Sequence, residues 1–272
     1  MSDLDDRVVS KNEKPLTLVT RPIEDCDDVA KELSARGFPV HISPLIQIET
    51  ISPNLRDPLP LSWDEIDWII LTSRNGARVW STVDISPKFS SNSSLAKNKS
   101  NFLRPSVATI GERTAEKVRE LCGYSPEFVG SGERSEIFLS QFLEVVEEGN
   151  KVVVAGACKR RGLIESSLAE RGVQVFSWNL YKIIPSAPDL ESVRIISDVP
   201  SILWTFFSGS AVSAYAEWRE LYSLPKLMPH WYFAAFGEST AAAMRKYELP
   251  PCVVHCGGSH LAFCDLLVAR FS

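Results

Sequence analysis

The chain has no run of about 18 apolar residues, so nothing in it reads as a membrane span. Its most apolar stretches, Trp68 to Leu71 and Ile202 to Phe207, have the length of strands. Positive charge is not in excess. Against 34 acidic residues stand 29 basic ones, a net charge of −5, and the chain-wide basic field of a general nucleic-acid binder is missing. The start, Met1-Ser-Asp-Leu-Asp-Asp6, has neither an apolar signal region nor Arg-rich transit character, so a cytoplasmic location is expected. Cysteine is sparse and scattered (Cys26, Cys122, Cys158, Cys252, Cys256, Cys264), and a chain of 272 residues can bury a core without disulfides. Free thiols are expected. Cys252-Val-Val-His-Cys256 has no second Cys/His pair at zinc spacing, so no metal site is expected there. The dinucleotide fingerprint, the Walker A loop, the H-E-x-x-H helix and the G-x-S-x-G elbow are all absent. His41, His230, His255 and His260 show no clear Ser or Asp partner for a hydrolase triad. The acidic cluster Glu24, Asp25, Asp27 and Asp28 falls at a helix start, where it suits the helix dipole better than it suits Mg²⁺.

What is present is an alternation of strand and helix. Leu16 to Thr20 reads as a buried strand, and Glu24 to Arg36 as a helix stopped by Gly37. Phe38 to Ile42, continued by Leu45 to Ile48, reads as one further strand. Short apolar runs then recur around Trp68, Val107, Glu127, Val152, Val173, Ile202, Tyr232 and Cys252, most of them followed by segments of helical periodicity. Such order predicts α/β architecture with parallel sheets covered by helices on both faces. About ten strands fit two five-stranded units. Val83 to Ser106, rich in Ser, Asn, Lys and Pro, reads as a surface insertion.

The chain also repeats itself. Thr72-Ser73-Arg-Asn-Gly-Ala77 matches Phe207-Ser208-Gly-Ser-Ala-Val212, and Ile110-Gly111-Glu-Arg-Thr114-Ala115 matches Phe236-Gly237-Glu-Ser-Thr240-Ala241. Two complete five-stranded domains result if residues 1–48 join 183–272 and residues 49–182 form an inserted domain. A cut after about residue 150 leaves the second domain short of strands. The chosen scheme requires two crossings, near Ile46 to Pro53 and near Tyr181 to Pro188, both carrying proline.

Open parallel sheets bind ligands beyond the carboxyl ends of their strands. The repeated turns fall there: Ser73, Gly111, Thr114, Ser208, Ser210, Gly237, Ser239 and Thr240, with Gly130 to Ser135 and Gly257-Gly-Ser259 as further turns. Each Ser or Thr can be a plain helix cap. Recurring in register, they also suit a cleft for an anion held by helix N-termini. Arg21, Arg74, Arg113 and Lys159-Arg160-Arg161 add positive charge near strand ends. Tyr181 ends the strand Phe176 to Tyr181, where a phenol can donate a proton or simply pack.

Taken in order, Val19-Thr20-Arg21-Pro22, Gly37 to Ile46, Leu71-Thr-Ser73, Ile110 to Ala115, Leu180-Tyr181-Lys182, Phe206 to Val212 and Ala234 to Ala241 resemble the uroporphyrinogen-III synthases. The resemblance covers about residues 16–270. It implies two flavodoxin-like domains joined by two crossing strands, with the active site in the cleft. It also implies the conversion of hydroxymethylbilane to uroporphyrinogen III, with loss of water, a spiro intermediate and inversion of ring D. No metal or organic cofactor is implied, and the expected partner is that small molecule alone, bound by a monomer with no nucleic acid and no membrane. By the same resemblance Tyr181 assists departure of the hydroxyl. The substrate's eight carboxylates would meet Thr20, Arg21, Ser73, Gly111, Thr114, Ser135, Lys159, Arg160, Ser208, Ser210, Gly237, Ser239 and Thr240. Ser208-Gly-Ser210 departs from the family's more usual Ser-Pro-Ser. Two other readings are a cytosolic two-domain protein that binds anionic small molecules and a nucleotide-sugar transferase, though the latter's acidic or Gly-rich signature is not found.

Overall fold

The computed structural model describes residues 14–51, 61, 65–83, 105–132, 134–186, 190–199, 201–222, 230–256 and 259–272. Most of the expected insertion, together with Pro53, Pro188, Glu133 and Gly257-Gly258, lies outside the described residues. In chain order the elements are β1 (Leu16–Val19), α1 (Asp27–Ala35), β2 (Val40–Ile42), β3 (Ile46–Thr50), β4 (Trp68–Leu71), α2 (Arg74–Thr82), β5 (Ser106–Thr109), α3 (Glu112–Cys122), β6 (Phe128–Val129) and α4 (Ser135–Phe142). There follow β7 (Lys151–Ala157), α5 (Leu163–Glu170), β8 (Gln174–Pro185), α6 (Leu190–Asp198), β9 (Ile202–Phe206), α7 (Gly209–Leu221), β10 (Trp231–Phe236), α8 (Glu238–Lys246), β11 (Val253–His255) and α9 (His260–Phe271). The chain divides into two compact units: unit 1 is Met1–Gln47 with Ile183–Ser272, and unit 2 is Ile48–Lys182.

Unit 1 holds a five-stranded parallel sheet in the order β2-β1-β9-β10-β11. Its three inner strands, β1, β9 and β10, are short apolar runs largely buried on both sides, as parallel strands between helices must be. Alternate side chains serve opposite faces. Leu18, Trp204, Phe206 and Phe233 pack with Val212, Tyr215 and Trp218 of α7 and Met244 of α8. Val19, Leu203 and Ala234 pack with Val29 and Leu33 of α1 and Phe263 and Leu267 of α9. Trp204 and Trp231 belong to this core.

The sheet of unit 2 has six strands rather than five, in the order β6-β5-β4-β7-β8-β3. From β6 to β8 it is parallel. Ile69 and Leu71 face α2 and α3, whereas Ile70 faces α4 and α5, each in its own apolar cluster. Burying one such side chain stabilises by about 1.5–3 kcal/mol.

The sixth strand is the segment that the sequence suggests as a continuation of β2. The segment Ser43-Pro44 interrupts it. The Ser43 and Leu45 N–H groups still reach Val19 and Thr20, but from Leu45 onward the pairing changes. Ser186 N–H donates to Leu45 O at 2.8 Å and Ile51 N–H to Leu180 O at 3.0 Å, so β3 runs antiparallel to β8. The chain passes between units within these two strands, at the two places expected from the sequence, and β8 ends on Pro185. α6 was not foreseen. Its Ser192, almost fully buried, shares a hydrogen bond with His41 Nε2 at 2.9 Å.

Candidate active site

Ligands of open α/β sheets bind where the strand order reverses. In unit 2 that point lies between β4 and β7, which pair in parallel from Trp68↔Val152 to Leu71↔Ala155. A cavity of about 280 Å³ opens beyond them, with Thr72, Ser73, Ser135, Arg160, Glu165 and Tyr181 among its lining. Two glycines permit close packing nearby. A Cβ on Gly156 would fall 2.1 Å from Thr72 Oγ1, and one on Gly76 would fall 3.3 Å from Ser73 Oγ.

Tyr181 is placed by a β-bulge. β8 does not end at this residue, as the sequence suggested, but continues to Pro185. Gly156 faces Asn179 and Ala157 faces Tyr181, so Leu180 is an extra residue in the ladder. A regular strand would turn Leu180 and Tyr181 to opposite faces. Here both are buried, at 2% and 4% exposure, in the same cluster. Bulges commonly re-aim side chains next to active sites. The Tyr181 hydroxyl meets Ser73 Oγ at 2.9 Å. Ser73 is also the N-cap of α2 and accepts the Gly76 N–H at 3.0 Å.

Of the basic triplet after β7, Arg160 and Arg161 are in the lining of the cavity. Arg160 donates to the Glu165 carboxylate, to Ala157 O at 2.6 Å, to Asn179 Oδ1 at 3.0 Å and to Val154 O at 3.3 Å. The guanidinium thus fastens its own turn, with Glu165 countering its charge. Arg161 is exposed and pairs with Glu136 at 3.3 Å, and Lys159 is exposed. Ser135 opens α4. Gly111 caps α3 in an extended conformation, and Thr114 lies buried one turn further on.

In unit 1 several candidates are committed to the fold. Thr20 is fully buried and donates to Thr205 O at 2.8 Å. Arg21 is 7% exposed, donates to His260 Nε2 at 3.0 Å, lies 3.7 Å from Asp25 and stacks over Phe207 at 4.8 Å. Arginine can only donate, so His260 Nε2 is the acceptor in this pair and Nδ1 carries the proton. The sequence left His260 without a partner. The available signal was Ser259, which caps α9 by accepting the Ala262 N–H and so sets His260 at the first helical position. Ser208 caps α7, accepting the Ala211 N–H at 3.3 Å. Ser210 and Ser239 are exposed in the first turns of α7 and α8. Thr240 is buried and donates to Phe236 O at 3.0 Å. Gly237 has φ +100°, a conformation open to glycine and few others.

The profile of the family described as uroporphyrinogen-III synthase HemD matches residues 27–255. The chain belongs to the uroporphyrinogen-III synthase family. One relative of this synthase, from Methanocaldococcus jannaschii, carries a provisional assignment as a uroporphyrinogen-III synthase. It is 22% identical over 237 residues, 87% of this chain and 91% of its own. Among solved structures, the Helicobacter pylori uroporphyrinogen-III synthetase aligns with a TM-score of 0.61 at 14% identity, covering 95% of this chain and all of its own. A mutant Thermus thermophilus uroporphyrinogen III synthase aligns with a TM-score of 0.56 at 18% identity, covering 94% and 98%. At such identity these structures establish the two-domain α/β fold. The matched segment includes Ser73 and Tyr181 and begins after Thr20 and Arg21. Among the described residues, no three His, Cys, Asp or Glu form a metal-ligating group, and no helix is long and apolar enough to cross a membrane.

Proposed function

We propose that this member of the uroporphyrinogen-III synthase family cyclises hydroxymethylbilane to uroporphyrinogen III, with Tyr181 as the acid that assists departure of the hydroxyl. The observation that carries the role of Tyr181 is a buried phenol, hydrogen-bonded to Ser73, in the wall of a cavity at the switch point of a parallel sheet. The phenol gives its proton to the leaving oxygen as the C–O bond breaks. Water departs, and the pyrrole nitrogen supplies the electron pair, leaving a cationic azafulvene and a phenolate. Ring D then attacks through its substituted carbon to form the spiro intermediate. Reopening and reclosure invert the ring, and the proton lost as ring D regains aromaticity restores the phenol. The larger share of catalysis is conformational: the bilane is held so that spiro closure outruns direct closure.

The strand-end turns of each unit receive carboxylates through helix N-termini and hydroxyls. In unit 2 these are Gly111, Thr114, Ser135 and Lys159, and in unit 1 Ser208, Ser210, Gly237 and Ser239. Arg160 does so from the cavity wall, whereas Thr20, Arg21 and Thr240 support the turns of unit 1 through the bonds described above. The enzyme works as a cytoplasmic monomer without metal or organic cofactor. Tyr181→Phe tests the central role. The expected rate loss is about 10–100-fold, at or below the low end for a general acid because the hydroxyl leaves readily. Isomer III should remain the product. An unchanged rate would remove Tyr181 from the mechanism, and a dead enzyme would make the phenol essential rather than assisting.

A further inference from the structure

We infer that Ser73 is a positioning residue for Tyr181 rather than a binder of substrate carboxylate. This rests on the reading of Tyr181 as the acid. A serine hydroxyl has one proton and two lone pairs. At Ser73 one lone pair is taken by the Gly76 N–H, 3.0 Å away, and the phenol oxygen stands 2.9 Å off. To act as an acid, the phenol must spend its proton on the leaving oxygen. Its own oxygen then accepts, and the Ser73 O–H is the donor.

The resulting chain runs from Gly76 N–H to Ser73 O–H to the Tyr181 oxygen. Each link strengthens the next. Gly76 sits in the first turn of α2, where the N–H groups carry the positive end of the helix dipole. Donation from that N–H polarises the Ser73 hydroxyl and makes it a better donor. As the phenol loses its proton, the Ser73 bond becomes a bond to an anion and grows stronger. An interaction worth more in the transition state than in the ground state raises kcat and leaves KM nearly untouched. The geometry is held on both sides, by the Leu180 bulge behind Tyr181 and by the small Gly76 beside Ser73.

The test is a double-mutant cycle with hydroxymethylbilane as substrate. Ser73→Ala should lower kcat about tenfold with KM within about twofold, as expected for a lost bond to a developing charge. In a Tyr181→Phe background the same change should cost nothing further. Ser73→Thr keeps the hydroxyl and should restore most of the rate. Ser73→Asp keeps the cap of α2 and the fold but has no proton to give, so it should be as slow as Ser73→Ala. A raised KM with unchanged kcat in Ser73→Ala would make Ser73 a substrate binder. Additive losses, with Tyr181→Phe itself slow, would overturn this inference and leave the role of Tyr181 standing. An unchanged rate in Tyr181→Phe alone would overturn both.

Discussion

Each unit buries a tyrosine, and the two differ in one respect that matters. Tyr181 of unit 2 shares a hydrogen bond with Ser73 and lines a cavity. Tyr215 of unit 1 is fully buried, and its hydroxyl has no hydrogen-bond partner among the described residues. It is packed among rings, with Trp204 at 4.7 Å, Phe206 at 5.6 Å and Phe233 at 6.0 Å. Desolvation pushes its phenol above the ordinary value, opposed by the nearby Arg219 charge. Burial alone therefore does not single out a candidate phenol; the partner and the adjoining space of Tyr181 do. The strand ends of the units differ in the same sense. In unit 2 Thr72, Ser73 and Gly156 leave room. In unit 1 Phe207 stacks on Phe236 at 5.5 Å, and Arg21 and His260 pack against Phe207.

The largest change that would sharpen this contrast is Trp204→Ala, which opens the aromatic core around Tyr215. The expected loss is about 3–5 kcal/mol of stability, read from the denaturation midpoint. A loss under about 1 kcal/mol would mean that the rings there are loosely packed. Tyr181→Phe comes next and acts on rate rather than on stability. The repeated Gly-Glu-x-Thr turns provide a third test. Gly111 is extended at φ −159°, whereas Gly237 stands at φ +100°. Gly237→Ala should carry a backbone penalty of about 1–3 kcal/mol that Gly111→Ala lacks, visible in paired thermal melts. Equal penalties would show that the two turns are alike in solution.

Smaller effects are expected for Tyr215→Phe. Removing an unpaired buried hydroxyl should leave stability unchanged or raise it by up to about 1 kcal/mol, and a clear loss would reveal a partner for that group. Alkaline pH acts on the thiols that burial pushes up, Cys122 of unit 2 among them. Burial raises the Cys26 thiol to about 12 and that of Cys264 to about 11, against the usual 9.0, and both lie in unit 1. The unfolded thiols ionise first, so this contribution is intact below about pH 9 and is lost as pH rises toward 11 and 12. Replacing both cysteines with alanine should flatten the alkaline decline in stability. An unaltered decline would assign it to other groups.

Much of the fold was legible because parallel strands buried on both faces leave short, dense apolar runs, such as Trp68 to Leu71 and Ile202 to Phe206. The crossing near Ile46 was legible too, but not that its segment adds a sixth strand beside β8. Leu45 to Ile48 has the same apolar character whichever sheet it joins, and only the Ser43-Pro44 break hints at a change of partner. The bulge at Leu180 was equally hidden, since an extra residue in a ladder depends on what lies opposite it. Ser73 and Ser208 could be read as caps from their place between strand and helix. That Ser73 also meets a phenol 108 positions away follows from the pairing of β4 with β7 and of β7 with β8.

The most direct measurement is the isomer ratio formed from fresh hydroxymethylbilane by the purified protein, with the products oxidised and separated by chromatography. Uncatalysed closure gives isomer I. Isomer III in clear excess is the predicted result. Isomer I alone, from protein shown to be folded, would contradict the proposed reaction and favour a protein that binds anionic tetrapyrroles without cyclising them.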